Sequence, residues 1–263
     1  MRPEDLIPGR DHTRTIFERT LRGALRWNPR RSEIIRDLQG LMAAVDRPRL
    51  DKLRQEHADA IRSTDPAAGY KYLDAALYTL QKLLLAHELG LVRVPSRRVL
   101  DIGTGGGHFP FVCRFLGHQA VGIDIDNRLY EDIAACLGVQ RTIVRVAPLA
   151  RLPNLGGKFD LITACDVTFN DKDDRDGRRV YWTLAEWRFL LNDLFANHLQ
   201  YPGVVYLKLN KEWQRGFLGF DRLFFNRGLL AMAERNGAVV SRRRGTIKFS
   251  LTSRHEIGDL VLT

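Results

Sequence analysis

The stretch RVLDIGTGGGHF, Arg98 to Phe109, constrains the fold more than any other part of the chain. A short apolar run ends in an acid, and four of the next six residues are glycine. The run reads as a buried strand. The glycines read as a tight turn stripped of side chains, and HFPFVCRFLG as a helix that tolerates Pro110 in its first turn. A helix start presents unpaired N–H groups and a partial positive charge, so the bend suits an anionic part of a ligand.

The alternation continues downstream. QAVGIDI, RTIVRV, KFDLITAC and GVVYLKLN read as further strands. NRLYEDIAACLG, RVYWTLAEWRFLLNDLFANHL and DRLFFNRGLLAMAERNG read as the helices among them, and AVVSRRRGTIKFSLTS as two strands around a turn. Strand–helix alternation predicts an α/β fold, a doubly wound, mostly parallel sheet with an antiparallel strand at its edge. Upstream the chain reads as helices. SEIIRDLQGLMAAV has Ser32 as N-cap and Ile34, Leu38 and Leu41 on one face. RLDKLRQEHADAIRS is a second amphipathic helix. DPAAGYKYLDAALYTLQKLLLAHELG enters at Asp65-Pro66 and stops at Gly90. The expected organisation is an N-terminal helical extension over 1–68 and a Rossmann-like ligand-binding domain over 69–263.

Composition mainly excludes. With 44% hydrophobic and 27% charged residues over 263 positions, the chain reads as an ordinary globular protein. No run of about 18 apolar residues marks a membrane span. MRPEDLIPGRDH lacks the apolar segment of a secretory signal. Cys113, Cys136 and Cys165 include no C-x-x-C pair, which argues against a disulfide framework and against zinc. Small buried cysteines in a reducing, cytoplasmic setting are expected. The net charge of +10 is spread along the chain, with NPRR and SRRRG the only tight clusters. RNA is therefore an alternative partner rather than the favoured one. NDKDDRDGRR fails the EF-hand pattern, so no metal is assigned.

Ligands of open α/β sheets bind beyond the carboxyl ends of the strands. A dinucleotide site wants G-x-G-x-x-G; Gly103 and Gly105 fit it, but His108 stands at the third glycine position. Asp124, ending the second strand, suits ribose hydroxyls. A carboxylate at Asp101 would repel a pyrophosphate, yet it suits a ligand carrying an ammonium and a sulfonium. VLDIGTGGG followed by VGIDID resembles motif I and the next acidic strand end of class I S-adenosylmethionine-dependent methyltransferases. Asp101, Gly103, Gly105 and Gly107 match the acid-x-Gly-x-Gly-x-Gly pattern position by position, and KFDLITACD resembles the family's fourth-strand motif. The resemblance spans about Tyr70 to Thr252.

It implies a seven-stranded sheet, S-adenosyl-L-methionine as cofactor and methyl transfer as activity (EC 2.1.1.-). It places Asp101 by the methionine ammonium, Gly103, Thr104, Gly105 and Gly107 around the methionine, Asp124 on the ribose and Ile125 on the adenine face. Many members carry an acid after the third strand. Here Ala147 and Pro148 stand there, which leaves the adenine to backbone groups near Leu149.

The acceptor side follows the fourth strand in DVTFN. Asp166 reads equally as a group that orients or deprotonates a hydroxyl and as a strand-end turn residue. Asn170 is the second catalytic candidate, and Asn210 a substrate-side one. DVTFN is not the Asn/Asp-Pro-Pro-aromatic signature of amino methylation of bases, so the expected acceptor is a hydroxyl of a small or sugar-containing molecule. An RNA methyltransferase and a nicotinamide-dependent oxidoreductase are the alternatives. His108 reads as a first-turn residue pointing at solvent. Tyr70 and Tyr72 read as candidate lids, and Tyr181, Trp182 and Trp187 as core.

Overall fold

A computed structural model describes residues 11–26, 28–62, 69–168, 171–172, 180–215 and 221–253. These group into two compact units. One is drawn from Met1–Ser96, Thr104–Gly122 and Asp126–Arg141, the other from Arg97–Gly103, Ile123–Ile125 and Thr142–Thr263.

The first unit is helical at its start, with α1 (Asp11–Leu25), α2 (Arg31–Ala43), α3 (Arg47–Glu56) and α4 (Ala58–Arg62). A 3-10 turn at Gly69–Leu73 then leads into α5 (Ala75–Glu88). Ile34, Leu38 and Leu41 are fully buried, as their spacing on α2 predicts. Ser32 does not cap that helix. The Asn28 side chain accepts from the Arg30 N–H at 2.9 Å and its carbonyl from the Arg31 N–H, and the helix begins earlier, at Arg31, with Arg30 in the N-cap position. The single helix expected from RLDKLRQEHADAIRS is two, divided at His57, the C-cap of α3. Asp65-Pro66 lies outside the described residues. The cap of α5 is Asp74, whose carboxylate accepts from the Leu77 N–H at 3.0 Å. Gly90, at φ +69, follows its end. The same unit contains α6 (His108–Phe115) and α7 (Arg128–Cys136), capped by Asn127.

The strands in chain order are β1 (Arg98–Ile102), β2 (Gln119–Asp124), β3 (Arg141–Ile143), β4 (Phe159–Cys165), β5 (Asp171–Lys172), β6 (Val180–Tyr181), β7 (Leu199–Lys208), β8 (Glu212–Arg215), β9 (Asp221–Phe224), β10 (Val239–Ser241) and β11 (Thr246–Leu251). The helices α8 (Leu184–Asp193), extended by a π-helical turn at Leu194–His198, and α9 (Arg227–Arg235) lie among them. Seven strands form one sheet in the order β10-β11-β7-β4-β1-β2-β3. β1 with β4 and β4 with β7 run parallel, and β11 is antiparallel to both β7 and β10. This is the doubly wound, mostly parallel sheet with an antiparallel edge that the strand–helix alternation predicts. The chain winds outward from β1 through β2 and β3, then returns to build β4 and β7 on the other side. The carboxyl ends of β1 and β4 therefore flank the topological switch point. At their other ends, the Asp160 carboxylate accepts from the Arg98 N–H at 2.7 Å.

Three expectations are corrected here. The helix read from Arg179 begins at Leu184, because Thr183 and Glu186 form a capping box; Val180–Tyr181 pairs instead with Asp171–Lys172. DRLFF is not helical: Asp221–Phe224 pairs with Glu212–Arg215, and α9 starts only after Asn226, whose side chain accepts from the Leu229 N–H. The third strand ends at Ile143.

The three cysteines are buried, and burial pushes the Cys136 thiol up to about 11. Among the described residues no helix is long and apolar enough to cross a membrane.

Candidate functional site

In the second unit three strand tips carry acids. The β1–β4 register sets Asp101 opposite Thr163. Asp101 is only 3% exposed, and the Thr163 hydroxyl donates to its Oδ1 at 2.7 Å. A buried carboxylate is costly unless hydrogen bonds hold it, and here a neighbouring strand supplies one. Thr163→Val is therefore expected to destabilise the fold by about 1–3 kcal/mol, read as a lower urea midpoint. An unchanged midpoint would show that the carboxylate does not depend on this donor. Gly103 donates its N–H to the Ile123 carbonyl at 2.8 Å and sits at φ +70. A Cβ there would stand 2.5 Å from both methyls of Val167. At the end of β2, Asp124 Oδ1 accepts from the Ile125 N–H at 2.8 Å, and the Asp124 carbonyl accepts from Val144. Ile125 is half exposed.

Asp166 follows β4 in a left-handed conformation, φ +57. Its N–H donates to the Lys208 carbonyl at 2.8 Å, and the Lys208 ammonium donates to its carboxylate at 2.6 Å. Both side chains are about half exposed. An exposed ion pair contributes about 0–1 kcal/mol, and a non-glycine residue held at positive φ costs about as much. Stability alone does not account for this pinned carboxylate. Lys208 carries no motif in the sequence; its only signal there is its place at the end of a strand. A shallow hollow beside the pair is lined by Ala164, Val167, Trp187, Lys208, Asn210 and Glu212. Asn170 lies outside the described residues. Trp182 and Trp187 are buried with ring centroids 5.5 Å apart, and the Tyr181 hydroxyl accepts from the Trp213 N–H at 3.2 Å. Leu149 is exposed at φ +57.

The first unit holds the remainder of the bend. Thr104 is buried, with its side chain packed where a Cβ on Gly122 would stand. Gly105 lies at φ +57, and a Cβ there would meet only the Tyr72 ring, at 3.8 Å. Gly107, at φ +81, is the N-cap of α6. His108 does not point at solvent. It is 2% exposed, with the Tyr78 and Tyr72 rings 5.7 and 6.2 Å away. Burial, with the Lys82 charge adding to it, lowers its pKa to about 3, so the ring is neutral. Of the two candidate lids, Tyr72 thus belongs to this cluster, and Tyr70 lies tilted against His57, ring centroids 5.2 Å apart.

Among the described residues no group of acidic, cysteine or histidine side chains is arranged to hold a metal ion.

Residues 100–177 match the family model of a methyltransferase domain. No curated protein matches the chain in sequence. Among solved structures, the glycopeptide N-methyltransferase MtfA complexed with S-adenosyl-L-methionine is 17% identical at a TM-score of 0.35, the match covering 56% of this chain and 64% of that one. The chain thus spans less than two thirds of that protein. DesVI of Streptomyces venezuelae is 13% identical at a TM-score of 0.44, covering 67% and 92%. CalS10, an amino pentose methyltransferase from Micromonospora echinaspora solved with S-adenosyl-L-methionine, is 17% identical at 0.44, again covering 67% and 92%.

Proposed function

We propose that this chain, a class I S-adenosylmethionine-dependent methyltransferase by its domain at 100–177, methylates a hydroxyl of a small or sugar-containing acceptor. The residues suit the cofactor. Asp101 and Asp124 supply acceptors for an ammonium and for ribose hydroxyls. Gly103, Thr104, Gly105 and Gly107 offer backbone groups for the methionine, Gly105 with only the Tyr72 ring near where a Cβ would stand, and Ile125 offers an exposed apolar face for a base. Bound there, the cofactor supplies a methyl group already activated on a positively charged sulfur. What remains for the protein is alignment, exclusion of water and management of one proton.

The observation that carries the acceptor reading is the Asp166–Lys208 pair at the carboxyl ends of β4 and β7. Asp166 receives the proton of the acceptor hydroxyl, and the Lys208 ammonium favours negative charge gathering on the acceptor oxygen. Neither group suits a nicotinamide reaction in particular, and the methyltransferase-domain match speaks against that alternative.

Two measurements test the reading. S-adenosylhomocysteine is expected to bind the wild type in calorimetry, NADH is not, and Asp124→Ala should lose S-adenosylhomocysteine affinity by about tenfold or more, the scale of a charged hydrogen bond. Equal affinity in wild type and variant rejects the ribose assignment. Transfer of labelled methyl from S-adenosylmethionine to a panel of sugar and small-molecule alcohols, run beside structured RNA, should label the alcohols. Label in RNA alone, falling steeply with salt, rejects the hydroxyl acceptor in favour of the RNA alternative.

A further inference from the structure

The ribbon β8–β9 has two unlike faces. Its register pairs Glu212 with Phe224 and Trp213 with Leu223. Glu212 is buried and lines the hollow beside Lys208. Trp213 is 51% exposed and Leu223 45%, and the alternation of side chains along a strand places both on the opposite, outer face. Lys211 is exposed two residues before Trp213 and shares that face, its ammonium 5.6 Å from the centre of the Phe225 ring. The Trp213 N–H ties the ribbon to Tyr181, whose neighbour Val180 is 39% exposed. Of the large apolar side chains exposed among the described residues, three thus lie on the two small ribbons.

Cations border the outer face. The turn between β10 and β11 closes with the Arg244 N–H donating to the Ser241 carbonyl at 3.2 Å. Gly245 follows. Its carbonyl accepts from the Leu209 N–H at 2.9 Å, and the Phe225 ring stands where a Cβ on it would be. The turn is therefore packed on the same ring that Lys211 covers. Arg242 is paired with Glu234, and Arg243 and Arg244 are exposed beside it. The SRRRG cluster of the sequence is in this way set against the aromatic ribbon. Neighbouring arginines on so short a turn repel one another, and a water-facing turn calls for glycine, asparagine or aspartate instead.

The size of the apolar area decides what this surface fits. A stable protein interface buries about 800 Å² on each partner. Three partly exposed side chains offer on the order of 300 Å². A bilayer asks for less: a few apolar side chains with a tryptophan at headgroup depth, rimmed by lysine and arginine that meet anionic lipids. We propose that the outer face of β8–β9, with the Arg242–Gly245 turn beside it, docks this chain on an anionic lipid bilayer. Docking in that orientation brings the hollow lined by Glu212, on the inner face of the same ribbon, to the lipid surface. The proposal goes beyond the acceptor reading above and does not depend on it.

In the test, the full chain is sedimented with vesicles of phosphatidylcholine alone and of phosphatidylcholine and phosphatidylglycerol in equal parts. It should pellet with the mixed vesicles, stay in solution with the neutral ones and be released by added salt. Trp213→Ser should weaken binding to the mixed vesicles about tenfold, and Arg243→Gln combined with Arg244→Gln about twentyfold. With wild-type protein, lipids brominated in their acyl chains should quench part of the tryptophan emission, and Trp213→Ser should remove that part. No pelleting with mixed vesicles, no quenching in the wild type, or binding that neither variant weakens overturns the proposal. Retention on structured RNA without affinity for vesicles overturns it in favour of a nucleic-acid surface. A lipid-free dimer that Trp213→Ser converts to monomer overturns it in favour of a second copy of the chain.

Discussion

Gly103→Ala is expected to cost about 3 kcal/mol of stability. Two contributions add. The backbone sits at φ +70, where an L side chain is strained by about 1 kcal/mol. The new methyl would lie 2.5 Å from both Val167 methyls, closer than packed carbon atoms approach, and overpacking of this kind costs about 1–3 kcal/mol. Val167 cannot swing away freely, because a β-branched side chain has few rotamers and its predecessor Asp166 is held at both backbone and carboxylate by Lys208. The loss is read as a shift of the urea midpoint at unchanged slope. Gly103→Ala combined with Val167→Ala should regain the packing part and leave the backbone part, a non-additivity that identifies the contact. A single-variant loss below about 0.5 kcal/mol would mean that this turn adjusts without strain.

Asp166→Asn should lower turnover on any acceptor the wild type methylates by a hundredfold or more, within the span attributed to general-base catalysis. S-adenosylhomocysteine affinity should stay within twofold, because Asp101 and Asp124, the residues proposed for the cofactor, sit on other strands. Lys208→Met should reduce turnover by about tenfold: the carboxylate remains, but its ammonium partner, and with it the charge proposed to face the acceptor oxygen, is gone. Steady-state rates at saturating acceptor and calorimetry on the same preparations separate the two quantities. Asp166→Asn turning over at the wild-type rate would reduce the residue to a turn former. A parallel collapse of cofactor affinity would place it on the other side of the reaction.

The parts legible in the sequence are those whose signal is local. β1, β2 and β4 are short apolar runs bounded by glycine or acid, and the order strand, bend, helix follows from composition within a dozen residues. The capping box Thr183-x-x-Glu186 is legible too, but the apolar and aromatic run before it, Val180 to Trp182, continues the apolar spacing of α8 and hides the boundary. The two small ribbons escaped for a different reason. Asp171–Lys172 with Val180–Tyr181, and Glu212–Arg215 with Asp221–Phe224, are held by pairing with a distant segment, and a strand of two to four residues has too short a pattern to show its period. His108 and Lys208 illustrate the same limit in the site. The first is buried by tyrosines from a segment some thirty residues earlier, and the second acquires its role from a carboxylate on another strand. Neither relation leaves a mark in the neighbouring residues.

The hydroxyl of Tyr181 bonded to the Trp213 backbone joins those two ribbons, one following β4 and the other following β7, and neither belongs to the ladder of the large sheet. Residues such as Trp213 and Leu223, directly paired and outward-facing, are therefore free to vary without disturbing the scaffold beneath. This pair is a replaceable fitting, whose outer side chains can drift while the sheet beneath stays as it is.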